Sequence, residues 1–196
     1  LKDMQNNEFN KYTYILAMKD LFSKKAWVEP LKDKEGNTVF KGIQKLIKSM
    51  VKTPESIRSD NGAEFVYLPL QKYLKSENIT HILTTAGHPQ SNGGVERFNA
   101  DLKRLINMYM TQTGNKNWVE VLPMLVDNYN NTVSRITGKT PNDLDNPKLE
   151  NKKEIVDKMK KAVQTKNTSQ EQLLLPLNTQ VRLKILRDKF QKSTGQ

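Results

Sequence analysis

The sequence contains no cysteine, and this absence excludes several kinds of site at once. Without thiols the chain can form neither a disulfide nor a thiolate-ligated zinc site. Its two histidines, His81 and His88, are too few to build a zinc site by themselves. Any metal bound to this chain must therefore be held by carboxylates, which favour a hard cation such as Mg²⁺ or Mn²⁺.

Long apolar runs are also absent. No stretch of the 196 residues approaches the length of a membrane span, and the chain does not open with a signal-peptide pattern. Hydrophobic residues make up 36% of the chain and charged residues 27%, which is typical of a globular protein with one sizeable core. We therefore expect no membrane partner.

Acidic residues are in short supply relative to basic ones. The chain has 32 Lys and Arg against 21 Asp and Glu, a net charge of +11. Residues 151–196 hold 11 basic and 4 acidic residues, so +7 falls there and +4 in the first 150 residues. Such an excess favours a polyanionic partner, most commonly a nucleic acid, although a solvated lysine-rich surface gives the same composition.

Hydrophobic spacing predicts strands that come early and helices that accumulate later. Strands are predicted at 11–20, 26–31, 55–60, 79–85 and 179–186, the first two forming a hairpin. Helices are predicted at 37–50 behind an Asn37/Thr38 cap, at 68–78, 117–130, 140–144 and 149–166, and along an apolar stripe of Val95, Phe98, Leu102, Leu105 and Tyr109. Residues 166–172 are predicted to be a linker. The pattern indicates a mixed α/β or α+β layer fold.

Two acids stand at positions suited to a metal site, and each also has a purely structural interpretation. Asp60 ends a predicted strand at an Asp-Asn-Gly turn, where it could serve only to satisfy backbone donors. Glu96 lies in the first turn of a basic helix, where complementing the helix dipole is worth about 0.3–1 kcal/mol. Asn99 and Lys103 share its flank at i+3 and i+7. This flank of the helix has two interpretations. It is a solvated face, or Glu96 is a metal ligand and the two residues behind it bind substrate.

The segments around both acids resemble the catalytic core of retroviral and retrotransposon integrases. These segments are SIRSDNGAEF and HPQSNGGVERFNADLKR, and 35 residues (61–95) separate Asp60 from Glu96, as in the D,D(35)E motif of that family. DLFSKKAWVEPLKDK and YNNTVSRITGKTPND extend the resemblance over roughly the first 145 residues. Within the group the chain is most similar to integrases of large DNA transposons of the Maverick/Polinton kind.

This resemblance implies an RNase H-like α/β fold, with a mixed five-stranded sheet flanked by helices. It implies a catalytic core at residues 1–148, a basic amphipathic helix and linker at 149–172, and the start of a small SH3-like DNA-binding β domain, truncated, at 173–196. In similar enzymes three carboxylates hold two Mg²⁺ (or Mn²⁺) ions, which activate water or a DNA 3′-hydroxyl for in-line attack on a phosphodiester. Two ions about 3.5–4 Å apart suit that reaction because they clamp the attacking and leaving oxygens.

Carried over by motif, Asp60 and Glu96 are catalytic metal ligands. The resemblance assigns DNA contacts near the active site to Asn92, Asn99 and Lys103. Arg97 is expected to contact DNA through its positive charge on the same flank, and His88 is expected to be either structural or DNA-contacting. The third carboxylate should lie on a first strand beside the one that ends at Asp60. Two alternatives stay open for it: Asp3, or a residue before Leu1, as the Asp-Leu-x-Asp/Glu-Met pattern of Maverick-type relatives indicates. Asp20 ranks behind both, because similar integrases often have an aspartate there that is not a ligand.

The resemblance predicts a Mg²⁺-dependent integrase that processes the 3′ ends of transposon or viral DNA and joins them to target DNA. Element ends and target DNA are the expected partners, together with further copies of the chain in a dimer or tetramer. A nuclear location follows from a DNA substrate, and a cytoplasmic one is the alternative. Two other functions are retained: an inactive or truncated integrase-derived module for DNA binding or dimerisation, and an RNase H-like nuclease.

Overall fold

The computed structural model describes residues 11–84 and 93–171 of the chain. The strands are β1 (Tyr14–Lys19), β2 (Ala26–Leu31), β3 (Ser56–Ser59) and β4 (Thr80–Leu83). The helices are α1 (Gly36–Ser49), α2 (Leu68–Ser76), α3 (Gly93–Thr113), α4 (Trp118–Asn130), α5 (Pro141–Leu144) and α6 (Lys152–Glu171). The predicted succession of strands and helices within these ranges is confirmed, and the class is mixed α/β.

The first two strands form the predicted hairpin and are covered by helices on both faces. They pair antiparallel from Tyr14↔Leu31 to Lys19↔Ala26. One face packs against α1 and α2, in a cluster of Leu16, Leu31, Val39, Ile43, Leu46, Ile47, Leu70, Leu74 and Ile79. The other packs against α3 and α4, in a cluster of Ala26, Phe98, Leu102, Ile106, Trp118, Val121, Leu122, Leu125 and Val126. Burial on both faces explains why YILAMK is nearly continuous in apolar residues.

Helix α1 lies unusually close to this hairpin because its contact residue is a glycine. A Cβ placed on Gly42 would come within 3.0 Å of the Leu16 and Leu31 side chains. Any larger residue at position 42 would push the helix away from the sheet or displace both leucines.

The outer edge of β2 is closed by a side chain instead of another strand. The carbonyls of Lys25 and Leu31 accept hydrogen bonds from the β1 side of β2. Because backbone polar groups alternate sides along a strand, those of Ala26 and Pro30 point away from β1. Ala26 donates its N–H to Asn130 Oδ1 at 2.9 Å and accepts from Asn130 Nδ2 at 2.9 Å. Pro30 has no N–H to offer at that edge. Among the described residues β2 is therefore an edge strand, and its outward-facing backbone groups are partly satisfied within the chain.

The described strands form two separate two-stranded sheets, β1–β2 and β3–β4, and not the predicted sheet of five. Strands β3 and β4 are parallel, from Ser56↔Thr80 to Ser59↔Leu83. The prediction placed a first strand around Asp3, and that segment lies outside the described residues. The predicted strand at 179–186 also lies outside them.

Two details of the prediction are wrong. The N-cap of α1 is Glu35, not Asn37 or Thr38, and it makes no side-chain capping bond. Asp33 supplies the acceptor upstream instead: it takes the Glu35 N–H at 2.9 Å, and its bond with Thr38 lowers the pKa of the Asp33 carboxyl. The predicted linker at 166–172 is helical as far as Glu171. Its polar residues each cost only a few tenths of a kcal/mol, roughly, once a helix has been nucleated.

The α3 stripe is confirmed, with one addition. Phe98 and Leu102 are buried, but the most buried residue of α3 is Ile106, which the predicted stripe did not include. Over the ranges 11–84 and 93–171, none of the helices combines the length and apolar character that crossing a membrane would require.

Candidate active site

Asp60 lies where β3 ends and the chain turns, as predicted. Its side chain is exposed, and its Oδ1 atom accepts a bond from the N–H of Gly62 at 3.2 Å. The turn is closed by the Phe65 N–H, which donates to the Gly62 carbonyl at 2.9 Å. Because the one intramolecular bond to the carboxylate is long, most of its accepting capacity faces solvent.

Glu96 lies in the first turn of α3 and is also exposed. Burial of Phe98 and Leu102 fixes the rotation of the helix and so turns Glu96 away from the core. Neither Glu96 nor Asp60 forms an ion pair within the described part of the chain. Both acids are therefore open to a ligand from outside the chain.

The flank of α3 that begins at Glu96 is polar and basic. Asn99 and Lys103 are partly buried there, and Arg97 is exposed. The Oδ1 atom of Asn99 is buried and has no hydrogen-bond partner among the described residues. Further along, an open groove of about 560 Å³ is lined by Ala100, Lys103, Arg104, Asn107, Met108, Thr111 and Gln112. This helix face offers amide and cationic groups, the chemistry that contacts a phosphate backbone.

No pattern in the sequence indicated the lysine that holds the start of α3. Lys19 Nζ, at the end of β1, donates to the carbonyl of Gly94 at 3.3 Å. Its ammonium lies over the rings of Phe98 and Tyr129, 5.8 and 5.4 Å from their centroids. Burial lowers the pKa of Lys19, and the nearby Asp101 carboxylate partly opposes that shift. The hairpin thereby fixes the helix turn that carries Glu96.

Asp20 has a structural role that accounts for its carboxylate. Its Oδ2 atom accepts from Phe22 N at 3.0 Å, from Ser23 N at 2.6 Å and from Ser23 Oγ at 2.8 Å. These bonds close the turn of the β1–β2 hairpin, in which Lys24 adopts a positive φ of 64°. An oxygen engaged by three donors is a poor ligand for a metal, which agrees with the low rank given to Asp20 as a third acid.

A second group of residues that the sequence did not indicate surrounds Asp60. The side chains of Ser59, Gln71 and His81 form consecutive hydrogen bonds that end at the Asp60 carbonyl. The three residues lie on different elements, β3, α2 and β4, so no periodic pattern within one element could have found them.

Several predicted site residues lie outside the described residues: Asp3, His88 and Asn92. Within 11–84 and 93–171 no three acidic, histidine or cysteine side chains come close enough together to hold a metal ion. The described residues therefore include two of the three expected carboxylates, each on its predicted element.

Comparison with known proteins identifies the kind of domain present. A family model for the integrase core domain matches residues 4–89. The chain is 35% identical over 133 residues to a transposon-derived protein of Caenorhabditis elegans, covering 68% of this chain and 46% of that protein. It is 31% identical over 135 residues to the Pro-Pol polyprotein of simian foamy virus type 3, covering 69% of this chain and 12% of the polyprotein. The match thus spans less than half the length of either relative.

Solved structures with a similar fold include retroviral integrases. The integrase catalytic core domain of HTLV-2 in complex with magnesium, in its trimeric form, aligns with a TM-score of 0.60 and 25% identity, over 71% of this chain and 90% of that one. The intasome of simian T-cell lymphotropic virus, bound to a PP2A regulatory subunit, aligns with a TM-score of 0.64 and 24% identity, over 69% of this chain and 49% of that one. The chain thus contains a match to the integrase core domain and has retroviral integrase homologues.

Proposed function

We propose that this chain is the catalytic core of a DNA integrase, which processes the 3′ ends of an element and transfers them into target DNA. One observation carries the proposal. In a chain that matches the integrase core domain, Asp60 at the end of β3 and Glu96 in the first turn of α3 are both exposed acids, with 35 residues (61–95) between them. Turns and helix dipoles alone do not require that combination.

The donor set fits a hard divalent cation. Both carboxylates are exposed, and neither is engaged by a cationic side chain of the described residues. Mg²⁺ takes oxygen ligands, keeps several waters and is usually bound by one or two protein carboxylates together with substrate phosphate. We therefore propose that Asp60 and Glu96 hold Mg²⁺ or Mn²⁺, two ions in all, which when bound would polarise the phosphodiester and its attacking oxygen.

The third carboxylate remains a prediction, either Asp3 or a residue before Leu1. Each described sheet has a strand edge that could pair with the strand carrying it. Asn130 and Pro30 occupy the outer edge of β2, whereas the other edges of β1 and β3 have no strand partner among the described residues. A fifth strand between β1 and β3 would join both sheets and bring its acid beside Asp60.

The role proposed for the flank of α3 is to hold DNA. Asn99 has a buried acceptor atom without a partner in the described residues, and Lys103 and Arg97 supply positive charge beside Glu96. These side chains would bind the phosphates and sugars of the strand whose end reacts, and so hold its phosphodiester against the two acids. His88 and Asn92 are proposed as further DNA contacts from the segment that precedes α3.

The wider assignment rests on the relatives and on charge. We propose a core at 1–148, a basic helical segment at 149–172, and part of an SH3-like DNA-binding domain at 173–196. A solved HTLV-2 core is trimeric in one form and dimeric in another, and a related viral protein forms an intasome. By analogy we propose that this chain assembles as a dimer or tetramer on two DNA ends, in the nucleus. An origin in a Maverick/Polinton-like transposon is our proposal within that class.

The test is strand transfer by the full-length protein. Asp60→Asn and Glu96→Gln should each abolish Mg²⁺- or Mn²⁺-dependent joining of a 3′-hydroxyl end to target DNA, because each removes a charged ligand while keeping the shape of the side chain. Asp127→Asn, at an exposed acid of α4, is the matched control and should keep full activity. Retention of joining in both site variants would refute the metal assignment.

The same assay separates the two alternatives. The inactive DNA-binding module predicts DNA binding with neither cleavage nor joining. An RNase H-like nuclease predicts hydrolysis without joining. Products longer than the labelled substrate distinguish an integrase from both.

A further inference from the structure

A chain of side-chain hydrogen bonds runs from α2 to the turn that carries Asp60. Gln71 Nε2 donates to the carbonyl of Phe65 at 2.6 Å and lies 2.8 Å from His81 Nδ1. His81 Nε2 lies 2.9 Å from Ser59 Oγ. Ser59 Oγ donates to the carbonyl of Asp60 at 2.8 Å. Four bonds thus link a helix, both strands of the parallel sheet and the backbone of the proposed metal ligand.

The direction of every bond in this chain is determined by its chemistry. A backbone carbonyl only accepts, so the Gln71 atom beside Phe65 must be the amide nitrogen, and its second hydrogen points to His81 Nδ1. Nδ1 therefore accepts, and the imidazole proton resides on Nε2, which donates to Ser59 Oγ. The Ser59 hydroxyl hydrogen is then free for the Asp60 carbonyl. Only one arrangement, with a neutral His81, satisfies all four contacts.

Independent bonds restrain the preceding peptide group, on the other side of the Asp60 Cα atom. Thr84 donates from its N–H at 2.9 Å and from its Oγ1 at 3.0 Å to the carbonyl of Ser59. The β3–β4 pairing ends at Ser59↔Leu83, so the strand ladder itself does not reach the Asp60 carbonyl. Among the described residues, the Ser59 hydroxyl is the group that donates to this carbonyl. The carboxylate of Asp60 is exposed, yet its backbone is held by partly buried polar side chains.

We propose that Ser59, His81 and Gln71 are positioning residues that fix Asp60 in the orientation needed to bind a divalent cation. This inference rests on the proposed function, because it presumes that Asp60 is a ligand. Mg²⁺ demands near-ideal octahedral geometry, so a ligand whose backbone can shift loses affinity even when its carboxylate is intact. Groups that orient metal ligands typically change metal affinity or activity by about 10–100-fold when removed.

The experiment measures direct binding of MnCl₂ and of MgCl₂ to the full chain by isothermal titration calorimetry, without DNA. Ser59→Ala removes both the acceptor for His81 and the donor to Asp60, and should weaken binding by about 10–100-fold. Ser59→Thr keeps the hydroxyl and should restore binding to within about threefold of the wild type, a small loss on the scale of such groups. Ser56→Ala is the matched control, the same change at an exposed position of the same strand, and should bind as the wild type does.

The outcomes separate this inference from the proposed function. If Asp60→Asn loses Mn²⁺ binding but Ser59→Ala retains it, the positioning role is refuted and the metal assignment stands. If Asp60→Asn retains full binding, the metal assignment itself fails. Should Ser59→Ala not fold, Gln71→Met decides, because it removes the donor to His81 at the far end of the chain and should weaken binding by about tenfold. Unchanged binding in that variant would also refute the positioning role.

Discussion

Asn130 is the residue whose loss should most clearly expose how the sheet edge is stabilised. Its amide both accepts from and donates to Ala26 across 104 residues of sequence, at 2.9 Å each way. Ala26 is 1% exposed and Asn130 is 6% exposed, so water does not readily replace either bond. Replacing Asn130 with alanine leaves a buried N–H and a buried carbonyl without partners.

The expected cost follows from those two groups. Each buried polar group left unsatisfied costs about 1–3 kcal/mol, so Asn130→Ala should lower the free energy of unfolding by about 2–6 kcal/mol. For a chain of this size each kcal/mol corresponds to roughly 2–4 °C in Tm, so a loss of about 3 kcal/mol would lower Tm by about 6–12 °C. Asn128→Ala, an exposed position of the same helix, should change the free energy of unfolding by no more than about 0.5 kcal/mol.

Urea unfolding followed by tryptophan fluorescence measures both variants. Asn130→Asp adds a sharper criterion, because an ionised carboxylate can accept from the Ala26 N–H but repels the Ala26 carbonyl. Protonation gives the carboxyl a donor, so the deficit of this variant relative to the wild type should shrink as the pH falls. Equal stability of Asn130→Ala and Asn128→Ala would refute the role of Asn130 in closing the edge.

Two further predictions concern a titrating group and the core. Burial lowers the pKa of His81 below its usual 6.5, so below that pH the unfolded chain binds more protons than the folded one. Stability should therefore fall as the pH drops from 6.5 towards the lowered value, and His81→Gln should remove that slope from urea midpoints; an unchanged slope would contradict it. Ile106→Ala, at a residue that is 0% exposed, should cost about 2–5 kcal/mol. Met108→Ala, at 45% exposure, should cost less than about 0.5 kcal/mol in the same measurement, and equal losses would contradict the assigned burial.

Hydrophobic periodicity predicted the helices and strands well because their buried residues recur at regular spacing. The hairpin followed from two β-rich runs around a polar turn, and α3 followed from apolar residues at helical spacing. The predicted end of α6 was wrong because Asn167, Thr168 and Ser169 resemble a linker in composition. The free energy that each of them costs in a helix is nevertheless small. Composition reports the helix preference of single residues, whereas a helix that has already formed can extend through residues of weakly unfavourable helix propensity.

The candidate site was only partly accessible to sequence reasoning. Asp60 and Glu96 could be found because a turn signal, a helix start and their spacing all lie in local sequence. Lys19 could not, because its contact with Gly94 joins residues 75 positions apart and depends on how the hairpin packs on α3. The bonds of His81 depend in the same way on the parallel pairing of β3 with β4. Long-range polar contacts of this kind follow from the fold and leave no periodic trace.

The hairpin covered by helices on both faces has a consequence for combining substitutions. The two core clusters share no residue, yet both are built on β1 and β2. Changes at Ile43 and at Leu122, on opposite sides of the sheet, should therefore add in free energy. A change at Leu16 or Ala26 instead alters the surface on which a whole cluster packs, and should not combine additively with changes in the helices above it. The interior thus consists of two separately packed clusters that are connected through the shared strands β1 and β2.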